Sequence, residues 1–212
     1  MLCQPTDANA ANACKEPPFE TLALKEPTLT DRASIVLGLL SRSASAEALA
    51  DPNRFALASL IAGRFLNEGA LNASLGLDKT ELNLMCDSYF RGERLELPDQ
   101  EIDDLLERAD LIKTLLKHRA GKFQSEVWLA SIVALACAGR KHLWRDLGLA
   151  NRAELSALLF NAFPSFAAQN VGDMRWKKFL YRRYCADEGI YVCPSPSCAE
   201  CSDYSYCFAP EL

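Results

Sequence analysis

The residues best suited to chemistry in this sequence are cysteines crowded near its carboxyl end. Four of them, Cys193, Cys198, Cys201 and Cys207, form a C-x4-C-x2-C-x5-C array. Thiolates are soft metal ligands, and four of them in so short a segment can meet at one centre if the chain wraps around it. A Pro-Ser-Pro-Ser stretch inside the array disfavours helix. We therefore expect an irregular loop that a bound metal would order.

The spacing of the four cysteines favours an iron–sulfur cluster and leaves other interpretations open. Structural zinc sites usually have two cysteine pairs separated by a dozen or more residues, whereas this array has one close pair, Cys198 and Cys201. The first three cysteines have the C-x4-C-x2-C spacing of plant-type ferredoxins, although the fourth follows after only five residues. Structural zinc, and thiols that hold no metal, are the alternatives.

Three features upstream of the array are candidates for supporting roles. Arg175, Lys178 and Arg182 would share one stripe of a helix, either as a solvated basic face or as a docking site for an oxyanion or an acidic partner. Cys185 is either a fifth thiolate near the centre or a buried structural thiol. His142 is either a hydrogen-bonded packing residue or an auxiliary ligand of a transition metal.

The elements that must position these side chains are predicted to be helices. Apolar residues recur at helical spacing and no four residues alternate cleanly, which predicts an all-α fold of about six to eight helices. Asp31, Asp78 and Asn151 are expected to cap helices. A long helix is predicted to begin at Asp99 and to end at Gly121.

The chain divides into three expected regions. Residues 1–50 are predicted to be a mobile leader with at most one helix, because the first part has several prolines and no sustained periodicity. Residues 51–187 form the predicted helical domain. Residues 188–212 form the Cys-rich iron–sulfur loop, which we expect to pack on or beside the helical domain.

Composition and charge argue against several classes of protein. The formal net charge of −5 argues against nucleic acid as the main partner. The longest mainly apolar run, residues 127–138, is too short to cross a bilayer and predicts a buried core helix. No secretory signal is visible, so we expect a cytoplasmic protein whose thiols stay reduced. Two histidines and no phosphate loop or nucleophile elbow indicate a protein that is not an enzyme.

The carboxyl-terminal sequence resembles the NifQ family of nitrogen-fixation proteins. The resemblance is carried by residues 174–185, by the cysteine array, and by Ser-Pro-Ser before Cys198 and Ser-Asp-Tyr after Cys201. Residues 142–149, which read His-Leu-Trp-Arg-Asp-Leu-Gly-Leu, also look like that family. The resemblance extends from about residue 54 to residue 208.

This resemblance implies a role in making the iron–molybdenum cofactor of nitrogenase. Such proteins carry an iron–sulfur centre, of the 4Fe-4S or Mo-3Fe-4S type, that acquires molybdenum and passes it to cofactor-assembly proteins, namely a scaffold complex and the iron protein. The four array cysteines match the cluster ligands of the family, and molybdate is the implied source of molybdenum. The resemblance assigns no role to His142, Cys185 or the basic stripe. An iron–sulfur electron-transfer or redox protein, and an interaction module with a structural zinc tail, are the alternatives.

Overall fold

The computed structural model describes residues 31–189 and 204–208, and these residues are helical without any strand. The helices are α1 (Arg32–Ser41), α2 (Ala46–Ala50), α3 (Arg54–Phe65), α4 (Lys79–Tyr89), α5 (Arg108–Lys117), α6 (Ser125–Ala136), α7 (Leu143–Asp146), α8 (Arg152–Ala162), α9 (Pro164–Ala167), α10 (Trp176–Asp187) and α11 (Tyr204–Phe208). The all-α prediction is confirmed for the described residues.

The number of helices differs from the prediction because of the short ones. Among the described residues, seven helices have ten to twelve residues, and four have only four or five. The predicted six to eight corresponds to the long helices. A helix of one turn is too short to show an apolar periodicity, so its sequence does not distinguish it from a loop.

Helix α6 lies at the centre of the core. Its sequence is apolar on every face, which predicts burial from all sides, and ten of its twelve residues are buried, including Trp128 and Ile132. It contacts α5, α7 and α8. No helix among the described residues is long and apolar enough to cross a membrane.

Three predicted helix starts are confirmed by their capping hydrogen bonds. The carboxylate of Asp31 accepts from the Ser34 backbone N–H at 3.0 Å. The Asp78 carboxylate accepts from the third residue of α4 at 2.8 Å, and the Asn151 amide oxygen accepts from the third residue of α8 at 3.0 Å. Each cap satisfies a backbone donor that the helix itself leaves without a partner.

The structure has two helices before residue 51, where the sequence predicted at most one. In α1, Ile35 and Leu39 are buried in the core. Helix α2 is short but doubly fixed, since the Ser45 hydroxyl accepts from the Ala48 N–H at 3.1 Å and the Ser45 N–H donates to the Ser88 carbonyl at 2.8 Å. Residues 31–50 of the predicted leader are therefore packed on the helical domain, and residues 1–30 lie outside the described residues.

The helix predicted to begin at Asp99 begins only at α5. Residues 95–105 have no helical turn. The Asp99 carboxylate accepts from the Ala73 N–H at 3.1 Å, and the Gln100 side chain donates to the Leu71 carbonyl at 2.8 Å. These contacts with a distant loop replace the local helical hydrogen bonds, so the strong helix-start signal at Asp99 is overruled by tertiary structure.

Candidate metal centre

The described part of the predicted cysteine array is Cys207. Cys193, Cys198 and Cys201 lie outside the described residues. Within residues 31–189 and 204–208, no group of three or more His, Cys, Asp or Glu side chains is arranged to hold a metal ion. The described part of the candidate centre therefore consists of Cys207 and the residues around it.

Cys207 lies against the start of α10. Its backbone carbonyl accepts from the Arg175 backbone N–H at 3.0 Å, and Arg175 is the residue that precedes α10. The ring of Phe208 packs against Gly172, where an added Cβ would lie 3.1 Å from a ring carbon. The Cys207 side chain is half-buried at the edge of the core. The last cysteine of the array is thus attached to the helical domain by a hydrogen bond and by an aromatic contact.

The turn that receives Cys207 is held by side chains from two sides. The Asn170 amide accepts from the Met174 N–H at 2.9 Å and donates to the Met174 carbonyl at 2.8 Å. Arg152 in α8 donates to the Asp173 carboxylate at 2.6 Å and to the Met174 carbonyl at 3.2 Å. Because both backbone groups of Met174 are engaged, the turn is rigid before α10 begins.

The amino terminus of α10 offers an environment that favours negative charge. The helix has 12 residues, and its aligned peptide dipoles place partial positive charge at this end. A thiolate, or a cluster bound by thiolates, is stabilised in such a position. The backbone of Cys207 therefore lies at the end of α10 where a negatively charged group would be stabilised.

Cys185 lies at the opposite end of α10. Cys185 is ten positions after Arg175, and this spacing corresponds to about 15 Å along the helix axis at 1.5 Å per residue. Cys185 is buried, and burial raises the pKa of its thiol. Both observations favour the interpretation of Cys185 as a buried structural thiol over a fifth thiolate beside Cys207.

His142 lies at the start of α7, next to the residue that contacts Lys177 of α10. It is half-buried and caps α7, where its carbonyl accepts from the Asp146 N–H at 3.0 Å. The carbonyl of the preceding residue, Lys141, accepts from the Lys177 ammonium at 3.0 Å. His142 therefore follows the residue whose carbonyl holds Lys177, and Lys177 is two residues after Arg175.

The basic stripe follows one side of α10, as the spacing predicted. Lys178 and Arg182 are exposed and four residues apart, so they lie one turn from each other. Arg175 is half-buried and precedes the first turn. The stripe therefore begins at the residue that binds the Cys207 carbonyl.

The sequence analysis missed a contact between Lys177 and Asp146. The Lys177 ammonium donates to the Asp146 carboxylate at 2.6 Å and to the Gly139 carbonyl at 2.8 Å. Asp146 is only 2% exposed. The available signal was an acidic residue inside the apolar Leu-Trp-Arg-Asp-Leu-Gly-Leu stretch, because a buried carboxylate requires a partner.

The other described cysteines are thiols rather than disulfides. Cys86 is half-buried, and Cys137 and Cys185 are buried. Burial raises the pKa of the Cys86 thiol and raises the pKa of Cys137 to about 12. High pKa values make thiols poor nucleophiles and poor metal ligands.

Comparison with known proteins identifies the family. The sequence model of the NifQ family matches residues 56–209. Protein NifQ of Azotobacter vinelandii is 49% identical over 144 residues, which cover 68% of each chain. Protein NifQ of Rhodobacter capsulatus is 42% identical over 146 residues, which cover 68% of this chain and 80% of the relative.

A protein NifQ homolog of Sinorhizobium fredii is 37% identical over 147 residues, which cover 66% of this chain and 63% of the relative. No solved structure matches the chain. The family match includes the whole cysteine array and the helices that surround Cys207. The chain belongs to the NifQ family.

Proposed function

We propose that this protein is an iron–sulfur protein that acquires molybdenum and donates it for assembly of the nitrogenase iron–molybdenum cofactor. It acts as a carrier rather than as an enzyme, in the cytoplasm, where its thiols stay reduced. Membership of the NifQ family supports the nitrogen-fixation role. The structural observation that carries the proposal is the attachment of Cys207 to the amino terminus of α10.

Cys193, Cys198, Cys201 and Cys207 are the proposed cluster ligands. Thiolates and sulfide are soft donors that suit iron, and the same donors can hold a molybdenum–sulfur unit. The cluster is of the 4Fe-4S or Mo-3Fe-4S type. Molybdenum is the cargo in this proposal and the iron–sulfur cluster is its carrier.

Arg175, Lys178 and Arg182 are the proposed docking site for molybdate or for an acidic partner surface. Molybdate is a dianion, and exposed cations raise its local concentration near the cluster. The exposed positions of Lys178 and Arg182 on α10, and the contact of Arg175 with Cys207, support this role. The proposed partners are the scaffold complex and the iron protein of cofactor assembly.

His142 is a proposed auxiliary ligand, because an imidazole suits a transition metal and His142 follows Lys141, whose carbonyl holds Lys177 in the first turn of α10. Cys185 is a weaker candidate for that role, since about 15 Å of helix separates it from the Cys207 attachment point.

The proposal is tested by metal and sulfide analysis of protein purified without oxygen and then supplied with iron, sulfide and molybdate. We expect a brown protein that contains iron, sulfide and molybdenum, and we expect Cys198→Ala to lose all three. Iron and sulfide without molybdenum would instead indicate an electron carrier. A colourless protein with one zinc ion would identify a structural tail and overturn the proposal.

The docking role is tested in the same experiment by changing Arg175, Lys178 and Arg182 together to Gln. We expect molybdenum to decrease severalfold while iron and sulfide stay at the wild-type level. The matched control changes the exposed cations Lys79, Arg119 and Lys122 to Gln, which removes the same charge from other surfaces. If the two triple variants contain equal amounts of molybdenum, the proposed docking role is wrong.

A further inference from the structure

We propose that Lys177 is a positioning residue that fixes the first turn of α10, and with it Cys207, through its buried contact with Asp146. The inference rests on the proposed role of Cys207 as a cluster ligand. It concerns a lysine one position from the basic stripe, whose side chain points to a different set of partners.

The Lys177 ammonium is fully engaged by three acceptors. It donates to the Asp146 carboxylate at 2.6 Å, to the Gly139 carbonyl at 2.8 Å and to the Lys141 carbonyl at 3.0 Å. An ammonium has three donors, and each has a partner, two in the connection between α6 and α7 and one at the end of α7. The contact ties α10 to a segment 31 to 38 residues earlier in the chain.

Asp146 is itself held in place. Its carboxylate also accepts from the Lys141 backbone N–H at 3.0 Å, and its backbone carbonyl accepts from the Ala70 N–H at 2.7 Å. Gly139 leaves the space that the carboxylate occupies, because an added Cβ there would lie 2.3 Å from the carboxyl carbon. The carboxylate thus has a close-packed site, and Lys177 is anchored to a rigid acceptor.

The contact between Lys177 and Asp146 acts on Cys207 through the backbone between Lys177 and Arg175. Lys177 lies in the first turn of α10, and the Arg175 N–H donates to the Cys207 carbonyl at 3.0 Å. Loss of the ammonium would leave the Asp146 carboxylate buried without its ion-pair partner, which is costly in an interior site. Relief of that cost requires the first turn and the α6–α7 connection to move apart, and this motion loosens the attachment of Cys207.

A second ion pair on the same helix provides the matched control. Lys117 in α5 contacts Asp187 at the carboxyl end of α10 at 3.0 Å, and the Lys117 side chain is half-exposed. It also joins α10 to the rest of the domain, but at the end away from Cys207. Lys117→Met therefore removes a helix-to-domain ion pair without touching the first turn.

The test compares Lys177→Met and Lys117→Met with the wild-type protein by two measurements. Amide hydrogen exchange of Arg175, measured by NMR in the metal-free protein, reports the hydrogen bond to Cys207. The rate of iron loss to a chelator, measured without oxygen, reports the loaded centre. For Lys177→Met we expect exchange at Arg175 to become faster, and we expect iron loss to rise about tenfold, as metal affinity falls when the support of a ligand is removed. For Lys117→Met we expect neither rate to change.

Wild-type exchange at Arg175 together with wild-type iron retention in Lys177→Met would overturn the positioning role. Equal effects of the two lysine variants would also overturn it, because they would indicate general stabilisation of α10. If Lys177→Met does not fold, Asp146→Asn removes the charge and keeps the side-chain shape, and the same exchange measurement decides. Failure of the wild-type protein to bind iron and sulfide would overturn the proposed function, whereas the exchange at Arg175 would still decide the role of Lys177.

Discussion

Cys137 follows α6 at its carboxyl end, 5% exposed, and burial raises the pKa of its thiol to about 12. Nearby Lys177 favours the thiolate and nearby Asp146 disfavours it, but loss of hydration is the larger effect. Cys207 has a different setting, half-buried and beside the positive end of a helix. The two residues have the same side chain, but Cys137 is buried in the core whereas Cys207 lies at its edge.

The high pKa of Cys137 predicts a loss of stability in alkali. An unfolded thiol has a pKa of about 8.5, so above that pH the unfolded chain releases a proton that the folded chain keeps until about pH 12. The free energy of unfolding should therefore fall as pH rises through this window, by up to about 1.4 kcal/mol per pH unit. Below about pH 8 both states are protonated, and this contribution to the pH dependence disappears.

Urea unfolding of the wild-type protein and of Cys137→Ala, repeated between pH 7 and pH 11, measures this effect. We expect a shallower alkaline decline in the variant. Some decline should remain, because burial also raises the pKa of Tyr89 and of Tyr181. Parallel pH profiles for the two proteins would show that Cys137 does not cause the slope.

At the scale of the elements, α3 approaches the loop after α7 at a glycine. A Cβ added to Gly63 would lie 2.0 Å from the backbone carbonyl oxygen of Gly148. The close approach involves backbone on the loop side, so no side chain can rotate away to relieve it. Gly63 is therefore required by packing, despite its low helix propensity.

This contact reverses the usual effect of replacing a helical glycine by alanine. Helix propensity alone predicts that Gly63→Ala stabilises the protein by about 1 kcal/mol. Because the added methyl group must push α3 and the loop apart, we expect destabilisation of about 3 kcal/mol instead. The midpoint of urea unfolding measures the sign, and a variant as stable as the wild type would contradict the packing at Gly148.

The helix starts show which elements can be predicted from residues close together in the sequence. The caps at Asp78 and Asn151 were predictable because donor and acceptor lie three residues apart. The start of α5 was not, because Asp99 bonds to a loop 26 residues earlier in the chain. Leu106 lies within the predicted helix but before the start of α5, and it is fully exposed.

At the scale of the whole molecule, the buried apolar core of the described residues is formed between Ile35 and Leu180, before the cysteine array. Its buried apolar residues come from α1, α3, α6, α8 and α10 and from the segments between them. Cys207 and Phe208 pack against this core only at its edge. The helical domain therefore has its own source of stability, unlike small metal-binding domains whose folding depends on the metal.

Removal of the metal should leave most of the helical structure intact. We expect the far-ultraviolet circular dichroism of the iron-loaded protein to change little when a chelator removes the iron and the brown colour is lost. A sample unfolded in urea provides the signal of the fully unfolded chain for comparison. A cooperative loss of helicity on chelation would show that the folding of the helical domain depends on the metal centre, and it would contradict the expectation that the core is stable without the metal.

Most of the helices could be predicted from the sequence alone, and so could the cysteine array as a candidate metal site. Four closely spaced cysteines, the apolar stretch of α6 and the helix caps are all encoded by residues near one another in the chain. The contacts of Cys207 with Arg175 and of Lys177 with Asp146, in contrast, depend on the tertiary structure. These contacts join residues about 30 positions apart, and they form only when packing of α6, α7 and α10 has brought their backbones together. Periodicity and spacing contain no information about contacts between such distant residues. The surroundings of Cys207 could therefore be identified only in the folded chain.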